Sequence, residues 1–374
     1  MWDNHIYRTH GKIMKDTMNS INDQSATLPP NATAKGKSAK RMGTVILIGM
    51  AIIATILLGV RHYNRYRFHV EKDVRLIMDT YVSIYAVGPS KITSPALAAA
   101  FARMEEVDRK FSRHDPGSPV AAFNETGIAI TDPEIVAVIQ RALEISRQTN
   151  GAFDITISPV IDLWGFYTDE TPRVPEETSI EEALNRVGYQ YLRIENNTVY
   201  KDREGVTIDL GGIAKGYSVA QAADVLRNRG VTSALIDAGG DVYALGGKGK
   251  GSWRVGIRNP RAAGLLGYVE AKDMAILGSG DYERFFIKDG RRYHHIIDPG
   301  TGFPASQLSG VTILHQDPML ADAWATAVFV LGVEKGLDAM KFLPGAEAIL
   351  VTANGRTVLT PELENQLMQV PQEK

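Results

Sequence analysis

The feature that most restricts how this chain can fold is an uncharged apolar run at residues 42–60. As a helix rising ~1.5 Å per residue, it would span about 28 Å, close to the thickness of a bilayer's hydrocarbon core. The run lacks the polar stripe of a helix packed in a globular core. No small-x-small cleavage site follows Val60, and a polar segment precedes the run. We therefore expect one uncleaved membrane helix, with a cleaved signal peptide as the main alternative.

The composition on either side of this run predicts the domain organisation. Residues 1–41 are polar without an apolar period, which is typical of a flexible tail. Residues 71–361 carry the patterns of one folded domain, and residues 362–374 are predicted to be a C-terminal tail. Lysine and arginine flank the apolar run on both sides, so the positive-inside rule only slightly favours a cytoplasmic N-terminus.

The overall charge and the cysteine content exclude several classes of function. The 41 basic and 43 acidic side chains leave a formal net charge of −2, so no global field favours nucleic acid as a partner. Cysteine is absent, which excludes disulfides, thiolate metal sites, a cysteine nucleophile and lipid attachment through an N-terminal cysteine. Any ligand must therefore be inferred from local motifs.

Helix start and stop signals recur through the folded part. Capping residues or prolines mark three helix starts, at residues 94–95, 132–133 and 179–182. The second of these helices is predicted to end near residues 150–151, where asparagine and glycine tolerate a left-handed backbone.

Strand signals point mainly to antiparallel pairing. Three hairpins are predicted around residues 196–197, 289–290 and 354–355. The segment 76–87 is interpreted as a single strand. Since only residues 206–230 resemble the start of a strand–loop–helix crossover, we expect a mixed α+β fold with mainly antiparallel sheets and packed helices.

The segment 206–230, VTIDLGGIAKGYSVAQAADVLRNRG, is typical of an anion-binding loop. Glycines leading into a helix present free N–H groups at the positive end of the helix dipole, and Lys215 adds a full charge. The spacing matches neither a Walker loop nor a G-x-G-x-x-G motif. Two alternatives stay open: the glycines allow close helix packing, and Asp209 is only a helix N-cap.

An acidic helix supplies a second motif, in the segment HQDPMLADAWATAVFVLG. The helix is predicted to start at Asp317 and Pro318 and to end near Gly332. Asp322 and Thr326 then lie at i and i+4 on one face. Two such oxygen ligands suit Mg²⁺. The alternative is a solvated aspartate beside a threonine that bonds to its own helix.

Two consecutive histidines, His294 and His295, form the third motif. On a strand they must face opposite sides, so at most one can point into a given cleft. Residues 298–302, DPGTG, predict a tight turn directly afterwards. A histidine can accept the proton of an attacking hydroxyl, although a structural role for either residue is an open alternative.

Together with further motifs, these segments resemble the ApbE family of FAD:protein FMN transferases. The resemblance runs from about Met78 to Gly332, and its most specific elements are DLGGIAKGY, DAGGD, HHIIDPGTG and ADAWATA. MDTYVSIY, FSRHDPGS and GAFDITISPVIDLWGF add to it. Members of this family split FAD, attach the FMN half through a phosphoester to a serine or threonine of a target protein, and release AMP. The target is commonly a subunit of a membrane respiratory complex.

The resemblance implies roles for individual residues within an ApbE-like catalytic domain. Asp322, Thr326 and the backbone carbonyl of Gly212 become Mg²⁺ ligands, and His295 becomes the general base. Lys215 becomes both a catalytic and an FAD-binding residue. The other residues expected to bind FAD are Met78, His114, Ala152, Phe153, Asp154, Asp209 and Ile296. His114 stands where the family usually has tyrosine or tryptophan, so stacking there is not assured.

The resemblance also suggests a location, the outer face of a bacterial inner membrane. Members of the family are often tethered through a lipidated cysteine, whereas this chain has the apolar run at residues 42–60 as its predicted single-pass anchor. Two other functions fit the same motifs: a membrane-tethered FAD-binding protein without catalysis, and an FAD pyrophosphatase that does not use an acceptor. The sequence does not identify the acceptor protein.

Overall fold

The computed structural model describes residues 35–67, 69–167 and 171–368. Most of the predicted N-terminal tail, residues 1–34, and the last residues of the predicted C-terminal tail, 369–374, lie outside the described residues.

The N-terminal helix α1 spans Lys35–Arg67. Its segment Met42–Arg61 has a mean hydropathy of 2.5, and none of it is buried by the protein. Within the described ranges, it is the one helix long and apolar enough to cross a membrane, a property that a signal sequence shares. Residues 35–41, which were predicted to be part of the flexible tail, are helical, so the helix begins before the predicted anchor at residue 42.

The remaining elements are helices and short strands, with five consecutive helices after the first two strands. The other helices are α2 (Ser90–Phe111), α3 (Pro119–Thr126), α4 (Pro133–Gln148), α5 (Ser158–Trp164), α6 (Glu177–Leu184), α7 (Gly211–Asn228) and α8 (Pro318–Ala339). The strands are β1 (Val70–Ile77), β2 (Thr80–Val87), β3 (Leu192–Glu195), β4 (Thr198–Lys201), β5 (Ala234–Ala238), β6 (Asp241–Leu245), β7 (Trp253–Arg258), β8 (Leu265–Ala271), β9 (Met274–Gly280), β10 (Phe285–Lys288), β11 (Arg291–His294), β12 (Leu308–His315), β13 (Glu347–Thr352) and β14 (Thr357–Leu359). Short 3₁₀ helices occur at Tyr189–Tyr191, Met340–Phe342 and Leu363–Asn365.

The strands confirm the predicted mixed α+β class. Eight of them form one sheet in the order β1-β2-β5-β6-β9-β12-β13-β14, and all neighbouring pairs are antiparallel. The pairs β3–β4, β7–β8 and β10–β11 form separate two-stranded sheets. All three predicted hairpins are confirmed, as β3–β4, β10–β11 and β13–β14.

Two strand predictions are wrong. Residues 76–87 form a hairpin rather than one strand, because Met78 and Asp79 take left-handed φ angles of 53° and 56° between β1 and β2. Residues 206–210 are not a strand and do not open a parallel crossover. The Asn124 side chain bonds both backbone groups of Ile208, at 2.8 and 2.9 Å, and so replaces a neighbouring strand there.

Of the predicted helix starts, those of α4 and α8 are confirmed and those of α2 and α6 are wrong. Helix α4 starts as predicted, with the Asp132 carboxylate capping two backbone N–H groups, and α8 starts at Pro318 with Asp317 as its cap. Helix α8 bends at Gly332, the predicted end, where φ is 77°. Helix α2 begins before the predicted cap, so Pro95 lies inside it. Helix α6 begins at Glu177 without a side-chain cap, so the predicted capping box is wrong.

The large sheet separates two apolar clusters. Ile276 and Leu277, consecutive on β9, belong to different clusters, as the alternation of a strand requires. The larger cluster lies under α2, α4, α7 and α8, and the smaller one lies under β7 and β8. Leu363 is fully buried in the smaller cluster and Met368 pairs with Tyr268, so the predicted tail belongs to the folded domain as far as residue 368.

Helices α7 and α8 touch at Gly216. A Cβ atom added there would lie 2.2 Å from the Pro318 carbonyl oxygen and 2.6 Å from the Asp322 Cβ. No other residue type fits this distance without moving one helix. The glycine thus packs helix against helix, which places the start of α7 beside Asp322.

Substitution G216A is expected to lower the free energy of unfolding by about 1–3 kcal/mol, because overpacking outweighs the gain in helix propensity. Thermal unfolding of the full chain in detergent, followed by circular dichroism, measures the change. G251A is the matched control, since the nearest atom to its added Cβ is 3.9 Å away. Equal melting temperatures for the two variants would contradict the assigned helix contact.

Candidate active site

A cleft of about 970 Å³ opens between the β1–β2 turn, the loop at residues 152–157, the start of α7, strand β9 and helix α8. It brings together every residue that the sequence analysis singled out as a site residue. These are Met78, His114, Ala152, Phe153, Asp154, Asp209, Gly212, Lys215, His295, Ile296, Asp322 and Thr326.

An ion pair between a half-buried lysine and a buried aspartate lies at the polar end of this cleft. The Lys215 ammonium group donates to Asp241 Oδ2, and the Gly278 N–H donates to Asp241 Oδ1 at 2.9 Å. Asp241 is 3% exposed. Burial lowers the pKa of Lys215, but the charges of Asp241 and Asp322 outweigh it and raise this pKa above its ordinary value. Lys215 is therefore a permanent cation.

Asp322 adds a second buried carboxylate to the same group. Its Oδ2 accepts the Gly216 N–H at 2.7 Å, and the residue is 4% exposed. Burial raises its pKa, Lys215 opposes that shift, and Asp241 adds to it. When Asp322 is ionised, two carboxylates lie near one ammonium group, and a bound cation would offset the extra negative charge.

The oxygen atoms around Asp322 fit a magnesium ion. Thr326 lies one turn further along α8, with Oγ1 3.1 Å from Ser279 Oγ. The Gly212 carbonyl lies in the first turn of α7, and a carbonyl oxygen has two lone pairs, so it can accept a partner besides a helical N–H. These hard donors are the kind that Mg²⁺ prefers.

A metal ion here would depend on hydroxyl and carbonyl donors as well as carboxylates. Across residues 35–67, 69–167 and 171–368, no group of three or more histidine, aspartate or glutamate side chains is placed to hold a metal.

The two consecutive histidines have different surroundings, as strand alternation predicts. His294 is buried, with Nε2 2.8 Å from the Ala305 carbonyl, and the Ile296 N–H donates to its Nδ1. His295 lines the cleft, and its Nδ1 lies 3.4 Å from the Arg284 carbonyl. A carbonyl can only accept, so Nδ1 carries the proton and Nε2 keeps a free lone pair.

Burial lowers the pKa of His295 to about 3, and the neighbouring His294 and the cations Lys215 and Arg284 also favour the neutral ring. The imidazole is therefore unprotonated at neutral pH in the free protein, and it can accept a hydrogen bond from a hydroxyl group. Its basicity in this state is weak.

The predicted FAD-binding side chains differ in their surroundings. Met78 and Phe153 present apolar side chains to the cleft, and Phe153 lies against Gly212. Asp154 is buried, and both its oxygens accept bonds from Thr156 and Tyr189, so its carboxylate holds the loop in shape. His114 is exposed beside Arg113, whose Nε lies 3.2 Å from its Nε2.

Asp209 takes part in two contacts at the cleft wall. Its Oδ1 accepts the Gly211 N–H at 2.7 Å, but the N-cap of α7 is Leu210, so the predicted alternative that Asp209 is only the N-cap is wrong. Its Oδ2 lies 3.4 Å from Arg113 Nε. The carboxylate therefore fixes Arg113 at the cleft as well as the start of α7.

Sequence reasoning missed several side chains that line the cleft. Asp241 ends the DAGGD motif, so its position was visible, but nothing marked it as the partner of Lys215. Tyr282 follows β9 and lies under the Arg258 guanidinium, 4.4 Å from its ring centre. Burial and Glu283 raise the pKa of Tyr282 to about 12. Tyr167 and Arg284 also line the cleft, and no sequence pattern indicates either.

Comparisons with known proteins agree with the geometry. The model of the ApbE family matches residues 78–350. An FAD:protein FMN transferase of Treponema pallidum (strain Nichols) is 32% identical over 332 residues, which cover 82% of this chain and 91% of the relative.

Solved structures of ApbE proteins are also similar to this chain. A crystal structure of the ApbE protein of Thermotoga maritima superposes with a TM-score of 0.76 at 33% identity, over 80% of this chain and all of the other. The apo form of the Pseudomonas stutzeri flavinyl transferase ApbE gives 0.71 at 32% identity, over 80% and 97% of the two chains. The sequence and the fold both place this chain in the ApbE family.

Proposed function

We propose that this protein is an FAD:protein FMN transferase, which cleaves FAD, attaches FMN to a serine or threonine hydroxyl of another protein and releases AMP. One observation carries the proposal: a neutral imidazole, His295, lines the same cleft as a permanent cation, Lys215, and a cation-attracting oxygen cluster at Asp322. Base, phosphate-binding charge and metal donors are the components that phosphoryl transfer to a hydroxyl requires. The names of the relatives support the same activity.

The size and polarity of the cleft suit a dinucleotide. Its volume of about 970 Å³ lies at the upper end of the usual range for ligand pockets. The charged end around Lys215 suits the pyrophosphate, and the positive end of the α7 dipole lies beside it. The side chains of Met78, Phe153 and Ile296 offer apolar surface for the flavin and adenosine groups.

In the proposed reaction, the acceptor oxygen attacks the phosphorus of the FMN half. The new P–O bond forms as the bond between that phosphorus and the bridging oxygen breaks, and AMP leaves with this oxygen. The acceptor proton moves to the free Nε2 of His295, which the Arg284 carbonyl keeps in the required tautomer.

Residues at the polar end of the cleft would stabilise the negative charge of the phosphate groups. Lys215 lies where it can offset charge on the departing phosphate, and Asp241 holds it there. Asp322, Thr326 and the Gly212 carbonyl would hold Mg²⁺, which supplies Lewis-acid stabilisation of phosphate oxygens when bound.

The N-terminal helix supports a location at a membrane. We propose that residues 42–60 anchor the protein in a bacterial inner membrane, with the catalytic domain outside and a respiratory-complex subunit as the acceptor. Protease treatment of intact and lysed spheroplasts tests this arrangement. The domain should be cut in intact spheroplasts, and protection until lysis would contradict it.

The activity itself is tested with the full chain in detergent, FAD, Mg²⁺ and purified respiratory-complex subunits that carry candidate threonine or serine targets. Acid-stable flavin fluorescence on one subunit and an equal amount of AMP are expected. AMP without labelled protein would favour an FAD pyrophosphatase, and FAD binding without AMP would favour a flavin-binding protein.

Substitution H295A should slow FMN transfer by about 10²–10⁴-fold, because it removes the proton acceptor. FAD affinity, measured by flavin fluorescence, should stay close to that of the wild type. H294A is the control, because His294 does not line the cleft, and it should slow transfer much less than H295A does. Undiminished transfer by H295A would remove His295 from its assigned role.

Substitution D322N should abolish the dependence of transfer on Mg²⁺ concentration. Asparagine can still accept the Gly216 N–H bond, so the contact between α7 and α8 is kept while the negative charge is lost. Isothermal titration with Mg²⁺ in the presence of FAD measures the effect. An unchanged titration would contradict the assignment of Asp322 as a ligand, and D338N serves as the control because Asp338 is an exposed aspartate elsewhere on the same helix.

The lowered pKa of His295 predicts an acid-dependent loss of stability. Below its ordinary value near 6.5, the unfolded chain binds a proton that the folded chain does not bind until about pH 3. The wild type should therefore lose up to about 2 kcal/mol between pH 6.5 and pH 5 that H295Q does not lose. Urea unfolding at the two pH values measures this difference, and equal losses in both proteins would contradict the assigned pKa.

A further inference from the structure

We propose that Tyr167 is a positioning residue for His295, holding the imidazole in its reactive orientation and shielding it from water. The inference rests on the proposed function, in which His295 accepts the proton. It concerns a side chain that no sequence motif indicated.

Tyr167 reaches the cleft because its neighbours are fixed in a separate apolar cluster. Helix α5 ends at Gly165, whose φ of 73° turns the chain sharply. Trp164 and Phe166 are both buried and stack on each other, with ring centres 6.2 Å apart. The backbone on the N-terminal side of Tyr167 is therefore anchored, while Tyr167 itself lines the cleft.

The Tyr167 ring contacts the imidazole directly. The two ring centres are 6.2 Å apart and the planes make an angle of 75°, which is an edge-to-face arrangement. Aromatic pairs favour this geometry. The contact restricts rotation of the imidazole about its side-chain bonds.

Arg284 completes the enclosure of His295 and also touches Tyr167. Its carbonyl accepts the His295 backbone N–H at 3.1 Å and lies 3.4 Å from Nδ1. Its guanidinium carbon lies 4.6 Å from the centre of the Tyr167 ring, and the same group pairs with Asp79 at 3.5 Å. Arg284 thus links the base to the turn between β1 and β2, and Tyr167 packs against both Arg284 and His295.

The charges around the two rings agree with this role. His295 faces His294, Lys215 and Arg284, all of which disfavour its protonation. Burial and Asp209 raise the pKa of Tyr167 to about 12, so it is a neutral phenol at physiological pH. It can exclude water from the imidazole without adding a charge of its own.

The role makes a specific prediction for Y167A. Water should reach the imidazole, its pKa should rise toward the ordinary value of about 6.5, and the rate constant for transfer should fall about 10- to 100-fold. The rate should also decline below pH 7, as protonation of His295 removes the acceptor. Y167F keeps the ring and should restore both the rate and the low pKa.

The experiment uses the full chain labelled with ¹³C-histidine. NMR titration between pH 4 and pH 8 without FAD shows whether the His295 ring takes up a proton in this range, which the wild-type ring should not do. The His295 resonance is identified by its absence in H295Q. Transfer kinetics over the same pH range are measured separately. Y200A is the control, because Tyr200 also lies under an arginine, 4.8 Å from its ring centre, but does not line the cleft.

Each result has a defined meaning. A raised pKa in Y167A, with wild-type behaviour of Y167F and Y200A, supports the proposal. An unchanged pKa in Y167A, or a Y167F variant that behaves like Y167A, overturns it. If Y167A does not fold, Y167V replaces it in the same comparison. The NMR titration needs no catalysis, so a wild type that transfers no FMN would refute the proposed function while the positioning of His295 is still tested.

Discussion

The contact between helices α7 and α8 at Gly216 is the constraint on which the rest of the site depends. Because residue 216 has no side chain, the Asp322 carboxylate reaches the Gly216 N–H at 2.7 Å. This bond draws Asp322 to the first turns of α7, where Gly212 and Lys215 lie. A helix pair at the usual separation of 8–10 Å would leave these groups on two separate surfaces. The close packing therefore brings the site residues together. Gly216 contributes to it in two ways, since it lets the helices approach and its N–H holds Asp322.

The same contact produces a cluster with one more carboxylate than ammonium group. Burying a charge without a partner is costly, so Lys215, Asp241 and Asp322 depend on each other and on backbone N–H groups. The excess negative charge would be unfavourable in a purely structural ion pair. In the proposed reaction, a bound cation would offset the carboxylates and leave Lys215 free to face the phosphate. The arrangement suits a substrate that arrives with a metal ion.

The sequence predicted those features whose cause is local. Hairpins at residues 196–197 and 289–290 and the cap at Asp132 follow from the conformational preferences of a few adjacent residues. The spacing of Asp322 and Thr326 follows from the helix repeat. Residues 206–210 could not be predicted in this way, because the Asn124 side chain, distant in sequence, satisfies their backbone. Tyr167 and the pairing of Lys215 with Asp241 were invisible for the same reason: each depends on residues that only the tertiary fold brings together.

The weak basicity of His295 in the free protein also has a physical logic. Burial is the main reason that the ring is neutral in the free protein, and the cations Lys215 and Arg284 add to this effect while the cleft holds no anion. In the proposed reaction, the negative pyrophosphate offsets these cations, and removing their repulsion raises the proton affinity of Nε2. The base would thus become stronger when its substrate is in place. Such coupling would keep the imidazole from being protonated by solvent between turnovers, and it requires no movement of the protein beyond the binding of FAD itself.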